Sequence, residues 1–261
     1  MKSSSRPTQR FSTQKGMSLI ELMVAMVIGL ILILGVTQIF INNQKSYLFQ
    51  QGQAGNQENG RFTLAVLSQE LSKAGYRSNP VRLFPAGSGQ NCTFPEGTSV
   101  IAVSATELCI RYQAPNKTSV NCMGGTLASG DQDSIVSPYR QNNPIVIEKI
   151  KFDPTTNSIL CTSASTTQQL VTGVAAFNFD YGSGDKSLKT VTGFSTNPGG
   201  TVGSVRYTAL MVSPGTASLR DSTATSTALS EWNKRFKTTL ADSNQIYQLV
   251  QGTTMIRNQL Q

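Results

Sequence analysis

The sequence predicts an α+β fold in which a long N-terminal α-helix packs on an antiparallel β-rich head. An uncharged and mostly apolar run extends from Leu22 to Gln44, which is long enough for a helix that crosses a bilayer core of about 30 Å. Residues 61–74 place apolar side chains at helical spacing. After Tyr76 the pattern changes to short β-like runs divided by turn clusters.

The apolar run is preceded by a basic leader, which indicates the orientation of the helix. Residues 1–16 carry four basic residues and no acid, namely Lys2, Arg6, Arg10 and Lys15. By the positive-inside tendency this end stays in the cytoplasm. One alternative is a secretory signal peptide, whose apolar region is usually about 7–15 residues and ends in a small-x-small cleavage site. The run here is longer and Gly35-Val36-Thr37 matches such a site poorly. A plain transmembrane anchor is the other alternative, but it leaves Glu21 unexplained.

Glu21 is an acid just inside the apolar run. A charge at the centre of a bilayer costs about 2.5–3.5 kcal/mol on insertion scales, so an intramembrane ionisable residue is a functional-site hypothesis by default. The position of Glu21 indicates assembly rather than catalysis. The alternative is that Glu21 has no role in assembly and that its carboxylate extends to the membrane interface.

The junction Lys15-Gly16-Met17-Ser18-Leu19-Ile20-Glu21, followed by Leu-Met-Val-Ala-Met, resembles the leader and N-terminus of type IV pilins and type II secretion pseudopilins. The resemblance implies that prepilin peptidase cuts between Gly16 and Met17 and that Met17 is then N-methylated. It implies that Glu21 pairs with the N-terminal amine of a neighbouring subunit in a filament. It also implies a type IV pilin-like fold. Most family members have Phe at the position of Met17.

These observations predict four segments: a leader peptide at 1–16, a transmembrane helix at 17–41, a periplasmic helix extension at 42–77 and a β-rich globular head at 78–261. Because each glycine weakens a helix by about 1 kcal/mol relative to Ala, the glycines among residues 42–60 predict a soft or bent section. Gly75 is a natural helix C-terminus.

The head is expected to consist of short strands and polar turns. Candidate strands are Ser99–Ser104, Glu107–Gln113, Pro144–Phe152, Ser158–Thr162, Leu170–Val174 leading into Ala176–Tyr181, and Ser204–Ser213. Turns or loops are expected at 78–98, 153–157, 182–185 and 193–203, and a mobile Ser/Thr-rich loop at 215–230. Residues 245–258 are expected to form a closing hairpin with Gly252-Thr253 at its turn.

Four cysteines, Cys92, Cys109, Cys122 and Cys161, lie outside the leader and the apolar run. An exported domain is exposed to an oxidising compartment, so two disulfides are expected. Four cysteines allow three pairings. We favour Cys92–Cys109 with Cys122–Cys161, since each would join segments that can be neighbouring strands or loops. Zinc is the rival interpretation, but the sequence has no C-x-x-C motif and no histidine.

The amino-acid composition limits the classes of function that the chain can have. The chain has no histidine, which removes the Ser-His-Asp and Cys-His mechanisms and most transition-metal sites. Of the net charge of +8, the leader carries four positive charges, and the remainder is too dispersed to indicate nucleic-acid binding. Asp180, Ser183 and Asp185 are candidate calcium ligands, but Gly182 and Gly184 also suit a simple turn. We expect no metal, no cofactor and no enzymatic activity.

The stretch from Glu58-Asn59-Gly60-Arg61-Phe62 to Ala74-Gly75-Tyr76-Arg77 resembles the PilW family of minor pilins. The resemblance implies a structural subunit that primes type IV pilus assembly, sits in the tip complex and supports twitching, adhesion and DNA uptake. Its partners would be other minor pilins, the major pilin and the prepilin peptidase. It would reside in the inner membrane of a Gram-negative bacterium with its head in the periplasm, and then at the pilus tip. The alternatives are a GspJ-like minor pseudopilin and a membrane-tethered periplasmic enzyme or binding protein.

Overall fold

The computed structural model describes residues 16–135, 143–184, 190–215, 218–220 and 223–259. The predicted leader therefore lies, except for Gly16, outside the described residues. The chain divides into two compact units, Met1–Leu48 and Phe49–Gln261. Helix α1, Leu19–Lys73, contributes residues to both units as one continuous α-helix.

In the first unit, the apolar part of α1 leaves its side chains exposed along its length. An 18-residue window of this helix has a mean hydropathy of 2.8 and none of it is buried, so its length and composition are sufficient to cross a membrane. The hydroxyl of Thr37 donates to the carbonyl of Ile33 at 2.8 Å, which satisfies a polar group within the helix itself. Within the described residues of this unit, 16–48, the apolar surface has no partner.

In the second unit, α1 buries one stripe of residues spaced three or four apart: Gly52, Asn56, Gly60, Thr63, Leu67, Glu70 and Leu71. This spacing keeps the side chains on one face of a helix. The helix ends where predicted, because Gly75 adopts a left-handed φ of 78° and its N–H donates to the Arg111 carbonyl at 2.9 Å.

A four-stranded antiparallel sheet carries this helix. Its strands are β8 (Val174–Ser183), β9 (Gly193–Ser195), β10 (Val202–Val212) and β11 (Tyr247–Met255), in the order β11-β10-β8-β9. The side-chain amide of Asn56 donates to the Ile246 carbonyl at 2.7 Å, and a Cβ built on Gly60 would lie 2.9 Å from Val250 Cγ1. The stripe on α1 is therefore in direct contact with β10, β11 and the residue that precedes β11.

A second sheet is an antiparallel meander of five strands in sequence order. Its strands are β3 (Val100–Ser104), β4 (Glu107–Gln113), β5 (Ile145–Asp153), β6 (Ser158–Ser163) and β7 (Thr166–Thr172). The Asp153 carboxylate accepts from the Thr155 N–H and the Thr155 and Thr156 hydroxyls, and Asn157 adopts a φ of 49°. These interactions form the predicted turn between β5 and β6.

The main core is formed by α1 and both sheets. Phe177 and Phe179 meet edge to face with centroids 4.6 Å apart. The Tyr181 hydroxyl donates to the carbonyls of Ser104 and Glu107 at 2.9 and 3.0 Å, which links β8 to the ends of β3 and β4. The predicted architecture of a long N-terminal helix and antiparallel sheets is confirmed.

Several local predictions were wrong. The candidate strand from Leu170 to Tyr181 is divided between the two sheets, because β7 ends at Thr172, Gly173 adopts a φ of 74° and β8 begins at Val174. The expected loop at 193–203 contains β9 and the start of β10.

Residues 245–258 do not form a hairpin: β11 is one strand that pairs with β10 along its whole length, with Gly252 opposite Tyr207. The expected loop at 215–230 includes the start of helix α3 (Thr227–Phe236), which the Ser226 side chain caps. Within the expected loop at 78–98, strands β1 (Gly87–Gly89) and β2 (Cys92–Phe94) form a short hairpin.

Two short helical segments were also not predicted. They are α2 (Ser129–Ser134) and a 3₁₀ turn, Arg257–Gln259. The expected bend of α1 is not reflected in its hydrogen bonding, because the helix is unbroken through the glycines.

Candidate assembly motif and buried polar clusters

The described part of the N-terminal motif begins at Gly16, before α1, and continues into the first turn of the helix. Gly16, Met17 and Ser18 precede the helix, which begins at Leu19. The Leu22 N–H donates to the Ser18 carbonyl at 3.2 Å. Among the described residues other than its chain neighbours, none has an atom within 4 Å of a Cβ built on Gly16, and 70% of Met17 is exposed. Nothing in the described part of the chain therefore blocks access to the Gly16–Met17 bond.

Glu21 lies in the first turn of α1 and is exposed. A carboxylate at this position is favoured by the partial positive charge of the helix N-terminus. No ion pair joins Glu21 to another residue in the described part of the chain. The carboxylate of Glu21 is thus exposed in the described structure, between exposed Ile20 and Leu22.

The structure pairs Cys92 with Cys109 and Cys122 with Cys161, with Cα atoms 6.5 and 6.4 Å apart. This is the pairing that we favoured from the sequence. Cys92–Cys109 joins β2 to β4, and Cys122–Cys161 ties the segment after β4 to β6. With all four sulfurs in disulfides, none is available as a zinc ligand in this state.

Arg111 is a buried cation that the sequence analysis did not identify. Its guanidinium donates to the carbonyls of Thr98, Pro85 and Pro95 at 2.6, 2.7 and 2.9 Å. Its guanidinium carbon also lies over the rings of Phe84 and Phe94, at 4.8 Å from each centroid. Burial lowers the Arg111 pKa to about 10. Arg111 and Cys109 lie on the same face of β4 and together attach the 84–98 segment to it.

Glu148 is a second buried group that was missed. It is fully buried on β5, where its Oε1 accepts from the Tyr112 hydroxyl at 2.7 Å and from the Cys122 N–H at 2.8 Å. Burial, and then the nearby charge of Glu70, raise the pKa of Glu148 to about 7. The alternation of β5 places Glu148 on the face of Val146, Ile150 and Phe152, which are buried, so this alternation is a signal that could have found it.

The candidate calcium ligands are used differently. The Asp180 carboxylate accepts from the Arg206 guanidinium at 2.8 and 3.0 Å and from the Asn178 amide at 2.9 Å. Asp185 lies outside the described residues. Asp180 is therefore one partner of an ion pair.

Comparison with known proteins gives information mainly about the N-terminal segment. Residues 11–37 match the model of the prokaryotic N-terminal methylation motif. No curated protein matches the sequence significantly. Among solved structures, the type IV-like pilin TTHA1219 from Thermus thermophilus is a structural match to this chain. The match covers 77% of this chain and 95% of the pilin chain, with 10% sequence identity and a TM-score of 0.43. The chain thus carries an N-terminal methylation motif on an apolar helix that is suited to anchoring in a membrane.

Proposed function

We propose that the chain is a structural subunit of a type IV pilus, processed as a prepilin and assembled through its N-terminal helix. The main support for this proposal is the methylation motif at residues 11–37. This motif lies where a basic segment is followed by an exposed apolar helix. The non-enzymatic role is consistent with a head that contributes buried hydrophobic clusters and no histidine.

In the proposed processing, prepilin peptidase cleaves the Gly16–Met17 bond and the new amine of Met17 is methylated. The helix from residue 17 to 41 then remains in the inner membrane, with residues 42–77 and the head in the periplasm. In a filament the Glu21 carboxylate pairs with the Met17 amine of a neighbouring subunit. Such a pair in low dielectric need not stabilise strongly, but it disfavours every register that leaves either charge unpaired.

We further propose that the subunit is a minor pilin of the PilW type, located in the tip complex with other minor pilins and the major pilin. The stretch from Glu58 to Arg77 supports this assignment by its resemblance to that family. Twitching, adhesion and DNA uptake would then depend on the subunit through pilus assembly, without direct nucleic-acid binding by the head.

Mass spectrometry of the mature chain tests the processing. We expect an N-terminal peptide that begins at N-methylated Met17, and a Gly16→Val variant that retains the leader. Because a Cβ at position 16 would meet no described atom within 4 Å outside its chain neighbours, this substitution should leave the described fold intact and report recognition by the peptidase. An N-terminus in the region 35–40 would instead show removal of the helix by a signal peptidase and would contradict the proposal.

Deletion of the gene distinguishes the pilus from type II secretion. Loss of surface pili with normal exoprotein secretion supports the pilus assignment. Loss of secretion with intact pili would place the subunit in a pseudopilus instead.

A further inference from the structure

The Glu148 carboxylate has one oxygen without a hydrogen-bond partner. Oε1 accepts two hydrogen bonds, from Tyr112 and from the Cys122 N–H. Oε2 is buried and has no partner among the described atoms. A buried acceptor that is not hydrogen-bonded costs about 1–3 kcal/mol, and more when it is charged. The presence of a buried carboxylate at this position therefore requires an explanation beyond the hydrogen bond that it accepts from the Cys122 N–H.

Both sulfurs of one disulfide lie beside this carboxylate. A Glu148 carboxylate oxygen and the Sγ atoms of Cys122 and Cys161 all lie within 4.8 Å of one another. No described carboxylate has the same relation to the sulfurs of Cys92 and Cys109. The acid is thus specific to Cys122–Cys161.

We propose that Glu148 is the internal proton acceptor for closure of the Cys122–Cys161 disulfide. This role rests on the proposed export of the head into an oxidising compartment, where a disulfide-containing oxidant is available. Cys122 remains 9% exposed and Cys161 is 0% exposed, so the oxidant reaches Cys122 first.

The chemistry consists of two thiol–disulfide exchanges. The Cys122 thiolate attacks the oxidant disulfide, forms a mixed disulfide and releases one thiolate, which takes a proton from solvent. The Cys161 thiol then transfers its proton to Glu148, and the Cys161 thiolate attacks Cys122 Sγ and expels the second oxidant thiolate. That thiolate takes up the proton as Glu148 ionises again. Two protein thiols are oxidised, one oxidant disulfide is reduced to two thiols, and Glu148 is regenerated.

The environment of Glu148 favours proton transfer from the Cys161 thiol. Burial in apolar surroundings raises the pKa of a thiol such as Cys161 and keeps it protonated, hence unreactive, near neutral pH. Glu70, Lys73 and Tyr112 are the ionisable groups that act on Glu148. Burial and Glu70 raise its pKa to about 7, whereas the Tyr112 hydrogen bond and Lys73 oppose the increase. A carboxyl group with this pKa is a better match to a thiol than an ordinary carboxyl group.

The test measures closure of both disulfides in the full-length chain in detergent. The reduced, folded chain is mixed with oxidised glutathione, quenched with acid and alkylated, and each cysteine pair is quantified by peptide mass spectrometry. We expect Glu148→Gln to slow the closure of Cys122–Cys161 by about 10- to 100-fold, at or below the lower end of the range for a positioned general base. Cys92–Cys109 is the internal control and should close at the wild-type rate.

The pH profile separates proton transfer from a structural effect. The wild-type rate for Cys122–Cys161 should have an inflection near pH 7 that Glu148→Gln lacks. Tyr112→Phe keeps the carboxylate but removes a hydrogen bond that lowers its pKa, so the inflection should move to higher pH. Unchanged closure in Glu148→Gln, equal slowing of both disulfides, or an inflection that Tyr112→Phe does not move would overturn the proposal. The experiment involves no pilus, so its outcome is independent of the assembly assays.

Discussion

Arg111 shows how one side chain can attach a loop to a sheet. Its three donated hydrogen bonds all end on carbonyls of the 84–98 segment, and its guanidinium carbon lies 4.8 Å from the ring centroids of both Phe84 and Phe94. No spacing rule predicts this role, because Arg111 is one residue of a strand whose two faces are both buried. The chain segments that surround the guanidinium come together only in the tertiary fold.

Replacement of Arg111 by Lys should destabilise the head by about 2 kcal/mol. An ammonium cannot reach three carbonyls in the planar arrangement of a guanidinium and does not stack in the same way, which leaves buried carbonyls without donors. The single tryptophan, Trp232, is 3% exposed, so its fluorescence in a urea titration of the detergent-solubilised chain reports unfolding of the head. Arg77→Lys is the matched control, since Arg77 donates to one exposed carbonyl. Equal stability of Arg111→Lys and wild type would contradict this account.

Glu148 should make the stability of the head depend on pH. Its folded pKa is about 7, against an ordinary value of 4.5, so the folded state binds one more proton than the unfolded state between these two values. Stability should therefore fall by up to about 3 kcal/mol as pH rises from 4.5 to 7 and then level off, since each pKa unit is worth about 1.4 kcal/mol. The same urea titration on Glu148→Gln should lack this component. A variant that follows the wild-type pH dependence would show that Glu148 does not titrate in this range.

Glycine lowers the helix propensity of α1, but two of its glycines also allow close packing of the helix. From sequence, those in residues 42–60 indicated a weak section, but Gly52 and Gly60 are buried where β10, β11 and neighbouring segments approach the helix. Gly252 in β11 similarly leaves room for the Tyr207 ring, at 2.5 Å from a built Cβ, which is why the expected turn is an uninterrupted strand. Local patterns predicted the bounds of five strands to within two residues, namely β3, β4, β5, β6 and β10, but did not identify β1, β2, β7 and β9 as separate strands. These close approaches depend on the partner element, so local patterns in the sequence did not predict them.

Gly60→Ala and Gly55→Ala should change stability in opposite directions. Both should gain about 1 kcal/mol of helix propensity. A Cβ at position 60 meets the stiff Val250 side chain at 2.9 Å, whereas the nearest atom at position 55 is 4.0 Å away. Because overpacking costs about 1–3 kcal/mol, Gly60→Ala should be destabilised by about 1 kcal/mol and Gly55→Ala stabilised by about 1 kcal/mol. Thermal unfolding followed by circular dichroism checks both, and stabilisation of Gly60→Ala would refute tight packing at this contact.

For the whole molecule, the sequence is most informative at its N-terminal end. The junction from Lys15 to Glu21 predicted the processing signal, and residues 11–37 match the N-terminal methylation motif. The head was predictable as antiparallel sheets from alternation and turn chemistry. Helix α3 was missed because its apolar face is short and follows a Ser/Thr-rich stretch, although Leu229 and Trp232 anchor it. The buried clusters at Arg111 and Glu148 depend on contacts distant in sequence.

The measurement that tests the central claim most directly is incorporation of a Glu21→Val variant into pili. Processed chain and pilus-borne chain are quantified by immunoblot of membrane and sheared-pilus fractions. Thr37→Val is the control, because Thr37 lies in the same apolar run and its hydroxyl is bonded within its own helix. We predict that both variants are cleaved after Gly16, that Thr37→Val is incorporated normally and that Glu21→Val stays in the membrane. Normal incorporation of Glu21→Val would contradict the proposed pairing of Glu21 with the Met17 amine of a neighbouring subunit.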